Sequence, residues 1–119
     1  MASYLPKVDS YSTITRTASA DIIGGRIVEV TGSQTVAMAA ADSKKTLGIA
    51  AFDVKSGEAV TVYVNEGVQR PLASAAYTAG ADAYVSANGQ VTATAATNKY
   101  GIFLSSGASG SQAEVRPIV

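Results

Sequence analysis

Ala59-Val60-Thr61-Val62-Tyr63-Val64-Asn65 is the stretch that decides the fold class of this chain. Alternation puts Val60, Val62 and Val64 on one face and Thr61, Tyr63 and Asn65 on the other, the period of a strand with one buried side. Just upstream, residues 47–53 form a compact apolar run. Lys55-Ser56-Gly57-Glu58 supplies turn chemistry between the two, so the pair reads as a hairpin at the centre of the fold.

Working outward, short β-type runs alternate with Gly, Ser and Asn turns from Arg26 onward, the spacing of an all-β sandwich or small barrel. Asn88-Gly89 separates residues 83–87 from 90–93 and predicts a type I′ turn, because both central positions there need positive φ. Residues 100–104 and 113–119 read as a closing pair across a Ser-rich loop, and Pro117 confines the last strand to an edge or a bulge. Two alanine-dense segments, 36–41 and 73–76, oppose the β reading, since alanine favours helix. The second is expected to form at most a short helical turn after Pro71. Residues 1–20 are rich in Ser and Thr, contain Pro6 and lack sustained periodicity, so they read as an extended N-terminal arm. Within the arm, residues 14–17 have the character of an edge strand. The expected organisation is an arm over 1–20 and a β-rich domain over 21–119.

With 119 residues, 47% hydrophobic and 15% charged, the chain is expected to fold as one globular domain, too short for two independent cores. Much of the apolar content is alanine, with no Trp and two Phe. At about 25 cal/mol per Å² buried, such residues return little, so the core is expected to be thin and self-association to supplement it. Two echoes, at different offsets, fit either a duplicated β unit or chance matching in alanine-rich sequence: Thr17-Ala18-Ser19-Ala20-Asp21 with Thr78-Ala79-Gly80-Ala81-Asp82, and Gly48-Ile49 with Gly101-Ile102.

Nine Lys and Arg balance nine Asp and Glu, so no global field gathers nucleic acid or an anionic membrane, and neither is an expected partner. Neither an apolar signal region nor an 18-residue apolar run is present, so no secretion signal or membrane span is expected. With no His and no Cys, Ser-His-Asp catalysis, His-based zinc sites and thiolate chemistry are excluded. Carboxylate-pair catalysis would need two acids in one deep cleft. Asp21, Asp42, Asp53, Asp82, Glu29, Glu58, Glu66 and Glu114 are instead scattered at turns and strand ends. We therefore expect no catalytic residue, no metal and no cofactor. Gly24-Gly25 precedes a strand and reads as a turn, not a phosphate loop. Asp42-Ser43-Lys44-Lys45 reads as a solvated loop, with contact to an acidic partner as its functional alternative. Tyr63, Tyr77, Tyr84 and Tyr100 lie in or beside strands, where cross-strand packing is the expected role and stacking on sugars or bases the alternative. Tyr4 and Tyr11 sit in the arm with Leu5, Val8 and Ile14, apolar residues that need a partner surface or the chain's own body.

Six blocks in order carry a resemblance: Gly25-Arg26-Ile27-Val28-Glu29-Val30 after Ala20-Asp21, Gly48-Ile49-Ala50, Ser56-Gly57-Glu58-Ala59-Val60-Thr61-Val62, Glu66-Gly67-Val68-Gln69-Arg70-Pro71-Leu72, Ala79-Gly80-Ala81-Asp82-Ala83-Tyr84-Val85, and Asn88-Gly89-Gln90-Val91-Thr92. In these, residues 20–119 resemble the bacteriophage capsid cement, or head-decoration, proteins. Ala79-Gly80-Ala81-Asp82 departs from the family's usual Gly-Asp by an added alanine, and Val68-Gln69 lacks the aromatic residue common there. The resemblance implies a β-tulip-like body and a structural virion protein on the outer surface of the capsid, where it stabilises the head. It further implies the major capsid protein as partner, a homotrimer, and attachment through the arm. By position the attachment residues are Tyr4, Leu5, Pro6, Val8, Tyr11 and Ile14. The alternative for the same body is a carbohydrate-binding or tail-appendage β module.

Overall fold

The computed structural model describes residues 13–64 and 67–118. Strands β1 (Thr13–Ala18), β2 (Ile27–Gly32), β3 (Thr35–Met38), β4 (Thr46–Ala50) and β5 (Ala59–Val64) close into a barrel in the order β1-β3-β2-β4-β5. Closure comes from β1, antiparallel to β5 on one side and parallel to β3 on the other. Strands β6 (Asp82–Ser86), β7 (Gln90–Thr92), β8 (Lys99–Phe103) and β9 (Val115–Pro117) form a second sheet in the order β7-β6-β8-β9.

The second sheet repeats the first barrel pair by pair. Val28↔Gly48 recurs as Ala83↔Gly101, and Ala50↔Val62 as Phe103↔Val115. The bulge that follows Val28 in the β2–β4 ladder returns after Ala83 in the β6–β8 ladder. Ile22↔Val54 outside the strands recurs as Tyr77↔Gly107. The counterpart of β1 is residues 69–73, whose bridges Gln69↔Val115, Leu72↔Gln112 and Ala73↔Val91 span from β9 to β7. Side-chain bonds repeat too: Ser19 Oγ meets Thr31 Oγ1 at 2.8 Å, and Ser74 Oγ meets Ser86 Oγ at 2.8 Å. Residues 13–64 are therefore the first unit and residues 67–118 the second. One turn recurs at two matched places in each unit, with Gly25, Gly57, Gly80 and Gly110 at φ between 85° and 91°, a conformation that costs other L-residues about 1–2 kcal/mol.

Duplication thus accounts for the Gly48-Ile49 echo of Gly101-Ile102, and both glycines are there for one reason. A Cβ on Gly48 would collide with the Tyr63 backbone, and one on Gly101 with the Arg116 backbone. The other echo is a coincidence of alanine-rich sequence: residues 17–21 correspond to 72–76, and residues 78–82 to 23–27.

Two core clusters form where one was expected, and they are not independent. Val28, Val36, Ala50, Val60 and Val62 fill the first barrel. One strand position away, Ile27 and Ile49 turn outward, and with Ala39 they complete the cluster of the second unit around Val85, Val91, Phe103 and Val115, with Tyr63 packed against it. The period of two in these strands thus serves both cores. Alanine is prominent among the buried residues, at 18, 39, 50, 51, 73, 83 and 113, in keeping with a thin core.

Several expectations change. The segment read as an arm through Ala20 gives residues 13–18 to the barrel as β1, held on both sides rather than at an edge. Residues 36–38 are strand despite their alanine, because Val36 is fully buried opposite Val30 and beside Ala18. After Pro71, where at most a helical turn was expected, none forms; bridges from Leu72 to Gln112 and Ala73 to Val91 hold the chain extended before it bends at residues 74–75. Asn88 and Gly89 do take positive φ, at 60° and 70°, yet the hairpin closes at Ser86↔Gln90 and the loop has one residue more than a type I′ turn. Docking explains the difference. Gly89 N–H donates to Ala39 O at 2.9 Å, Arg26 Nη1 donates to Asn88 O at 3.0 Å, and no Cβ fits between Gly89 and the Ile27 backbone. The turn is part of the joint between units. β9 is the outer named strand of the second sheet; Gln69 bridges it at Val115, and Pro117 lies past that bridge.

Candidate docking surfaces

Of the arm residues expected to make the attachment, Tyr4, Leu5, Pro6, Val8 and Tyr11 lie outside the described residues. Ile14 is in β1 opposite Val62, half-buried against the first barrel's cluster. The chain ahead of Thr13 therefore joins the body beside Tyr63, at the start of β1.

At the opposite end of β1 lies an open cleft of about 450 Å³. Its apolar lining is Ile22, Ile23, Met38 and Val54, and its charged lining is Asp21, Asp53, Lys55 and Glu58. Ile23 is 47% exposed there. The carboxylates brace the turns beneath them: Asp21 Oδ1 accepts from Ser56 N at 2.9 Å, Asp53 Oδ1 from Gly24 N at 2.7 Å, and Glu58 Oε1 from Lys55 N at 2.7 Å. Three acids against one base leave this rim anionic, with Lys55 Nζ 3.7 Å from Asp21 Oδ2.

The matching place in the second unit is filled from within. Tyr77 replaces Ile22 and stacks on Phe103 with centroids 4.8 Å apart at 18°. Its hydroxyl meets Ser111 Oγ at 3.0 Å and donates to Gln112 O at 3.2 Å, at the counterparts of Glu58 and Ala59. Gly107 in place of Val54 makes room, since a Cβ on it would press on the phenol.

The Asp42 loop forms a second polar surface. Asp42, at φ 59°, accepts from Asn98 N at 2.7 Å and Thr97 N at 3.1 Å, while Asn98 Nδ2 donates to its carbonyl at 3.0 Å. The Asn98 backbone N–H, reinforced by Thr97 and only partly opposed by desolvation, holds the Asp42 carboxyl below its ordinary 3.8. Lys44 and Lys45 beside it are exposed. The loop's acid thus staples the two units while its bases face solvent.

Among the described residues no group of three His, Cys, Asp or Glu is placed to hold a metal, and no helix is long and apolar enough to cross a membrane. Tyr77 and Tyr100 are buried at 6% and 2% exposure, and Tyr63 and Tyr84 are half-buried, so the rings serve packing before stacking on sugars. Sequence reasoning missed the cleft, although a signal was present: Asp21-Ile22-Ile23-Gly24-Gly25 and Asp53-Val54-Lys55-Ser56-Gly57 set an acid and an aliphatic residue at equal distances before a turn glycine.

No curated protein matches the chain. Among solved structures it is similar to the N-terminal base of the head fiber of bacteriophage phi29, with a TM-score of 0.75 at 15% identity over 92% of this chain and 95% of that one. That likeness concerns the fold. Sequence carries the assignment: the model of the phage cement proteins matches residues 8–117, nearly the whole duplicated body, so the chain belongs to that family and is a structural, capsid-associated protein of the virion.

Proposed function

We propose that the chain decorates the outer face of a phage head by binding the major capsid protein through residues preceding β1, and that it acts as a homotrimer without catalysis or a cofactor. Membership of the cement family supports the capsid as partner. The observation that favours the N-terminal segment is closure of the first unit: a five-stranded barrel with no free edge offers no ladder to a partner, so strand addition from this unit falls to the residues ahead of Thr13. An extended segment with Tyr4, Leu5, Val8 and Tyr11 binds by adding a strand to an exposed sheet edge, its main chain giving affinity and alternate side chains giving specificity. Ile14, seated on the barrel, anchors the segment's base. Three such segments in a trimer multiply modest contacts into tight attachment. Deleting residues 2–12 and measuring occupancy on undecorated heads tests the reading. Loss of binding with the body still folded is expected; unchanged occupancy contradicts it.

A further inference from the structure

We infer that, in the protein free of the head, the cleft of the first unit is the seat of this chain's own Tyr4-Leu5-Pro6-Lys7. The chemistry of the occupant is set by the molecule itself. Where the second unit places the Tyr77 ring, with its hydroxyl among the counterparts of Glu58 and Ala59, the first unit has Ile22 and Val54 beneath an open volume of about 450 Å³. A tyrosyl or leucyl side chain from elsewhere completes the first unit as Tyr77 completes the second. Glu58, at the counterpart of Ser111, offers an acceptor to such a hydroxyl, since a carboxylate with one oxygen on Lys55 N retains further lone pairs.

Charge selects among candidates. The rim has Asp21, Asp53 and Glu58 against Lys55, so a segment with an apolar head followed by a cation is complementary. Tyr4-Leu5-Pro6-Lys7 has that order, and no acid lies among residues 1–8. Pro6 keeps it extended and removes one backbone donor that docking would otherwise strand. Length fits as well. Strand β1 carries the chain six residues away from the cleft, about 20 Å at strand rise, and the nine residues from Thr13 back to Tyr4 span up to about 30 Å. Tyr11, about 7 Å from Thr13 at most, falls short. Tethering raises the effective concentration of the segment to the millimolar range, about 1 mM, so weak contacts suffice.

This goes beyond capsid attachment by giving the same residues a second seat, one that covers Tyr4 and Leu5 until a capsid edge competes for them. The test needs no heads. The chain has no Cys, so Ser3→Cys takes a single spin label on the full-length protein, read by amide broadening. Broadening at Ile22, Ile23 and Lys55, unchanged on dilution and abolished by Ile23→Lys at an exposed position, is expected. Uniform or absent broadening overturns the inference, as does broadening that fades on dilution, which would seat the segment on a second copy. Persistence in the Ile23→Lys variant also overturns it. Loss of head binding on deletion of residues 2–12 reports on attachment separately, so the two readings fail independently.

Discussion

The two units share a fold and differ in what they do with the same positions. At Ile27, Ile49 and Tyr63 the first unit presents an apolar face that completes the second unit's core. The counterparts Asp82, Ile102 and Arg116 are polar at two of three places, with Asp82 bound to Lys99 at 2.8 Å. One face joins and its copy terminates. At the turn end the contrast reverses: Tyr77 and Phe103 close the second unit from inside, while Ile22 and Val54 line an open cleft in the first. Duplication followed by divergence at these few positions separates a unit closed from within from one that keeps an open cleft.

Exchanging counterparts breaks that comparison, and the largest effect is expected at the joint. Ile27→Asp installs the residue its copy carries, but at a fully buried site, where an uncompensated charge costs roughly 3–5 kcal/mol; urea denaturation should show most of the stability gone. The reverse exchange, Asp82→Ile, should alter stability by no more than about 0.5 kcal/mol and instead promote self-association beside Ile102, read by light scattering. A smaller loss, about 1 kcal/mol in thermal unfolding, is expected for Tyr77→Phe, which keeps the stack on Phe103 and removes the hydroxyl's bonds. Smallest is the effect of Asp42→Asn. Because the folded carboxyl titrates below 3.8, its contribution is complete above that pH and is lost as pH falls through the lowered value. The variant should unfold slightly earlier at neutral pH, by that contribution, and converge on the wild type as pH falls, so that this part of the acid limb is missing from its pH series of unfolding midpoints.

Strand positions were legible wherever one face alone is buried. Val60 and Val62 announce β5, and the turn at Gly57 and the place of Pro117 in the outer named strand follow from backbone chemistry. Misreadings arose where tertiary contacts override local preference. Alanines near Val36 look helical until Val30 and Ala18 are placed beside them, and the loop at Asn88 lengthens because Gly89 docks on the other unit. The repeat was half visible: Gly48 and Gly101 are forced by close backbone approach, so they align, whereas most other counterparts differ in residue type and only their pairing register survives. The cleft was hidden for the same reason, since its boundaries join residues 21–23, 38 and 53–58 and only the fold brings them together.

We propose that the first unit, through the chain leading into β1, faces the capsid. Cryo-EM of heads carrying the protein tests it most directly. The prediction is density in which the start of β1 and the first unit lie against the shell, the preceding segment adds to a capsid strand, and the second unit stands farther out. Density with the second unit against the shell and the start of β1 turned to solvent would contradict it.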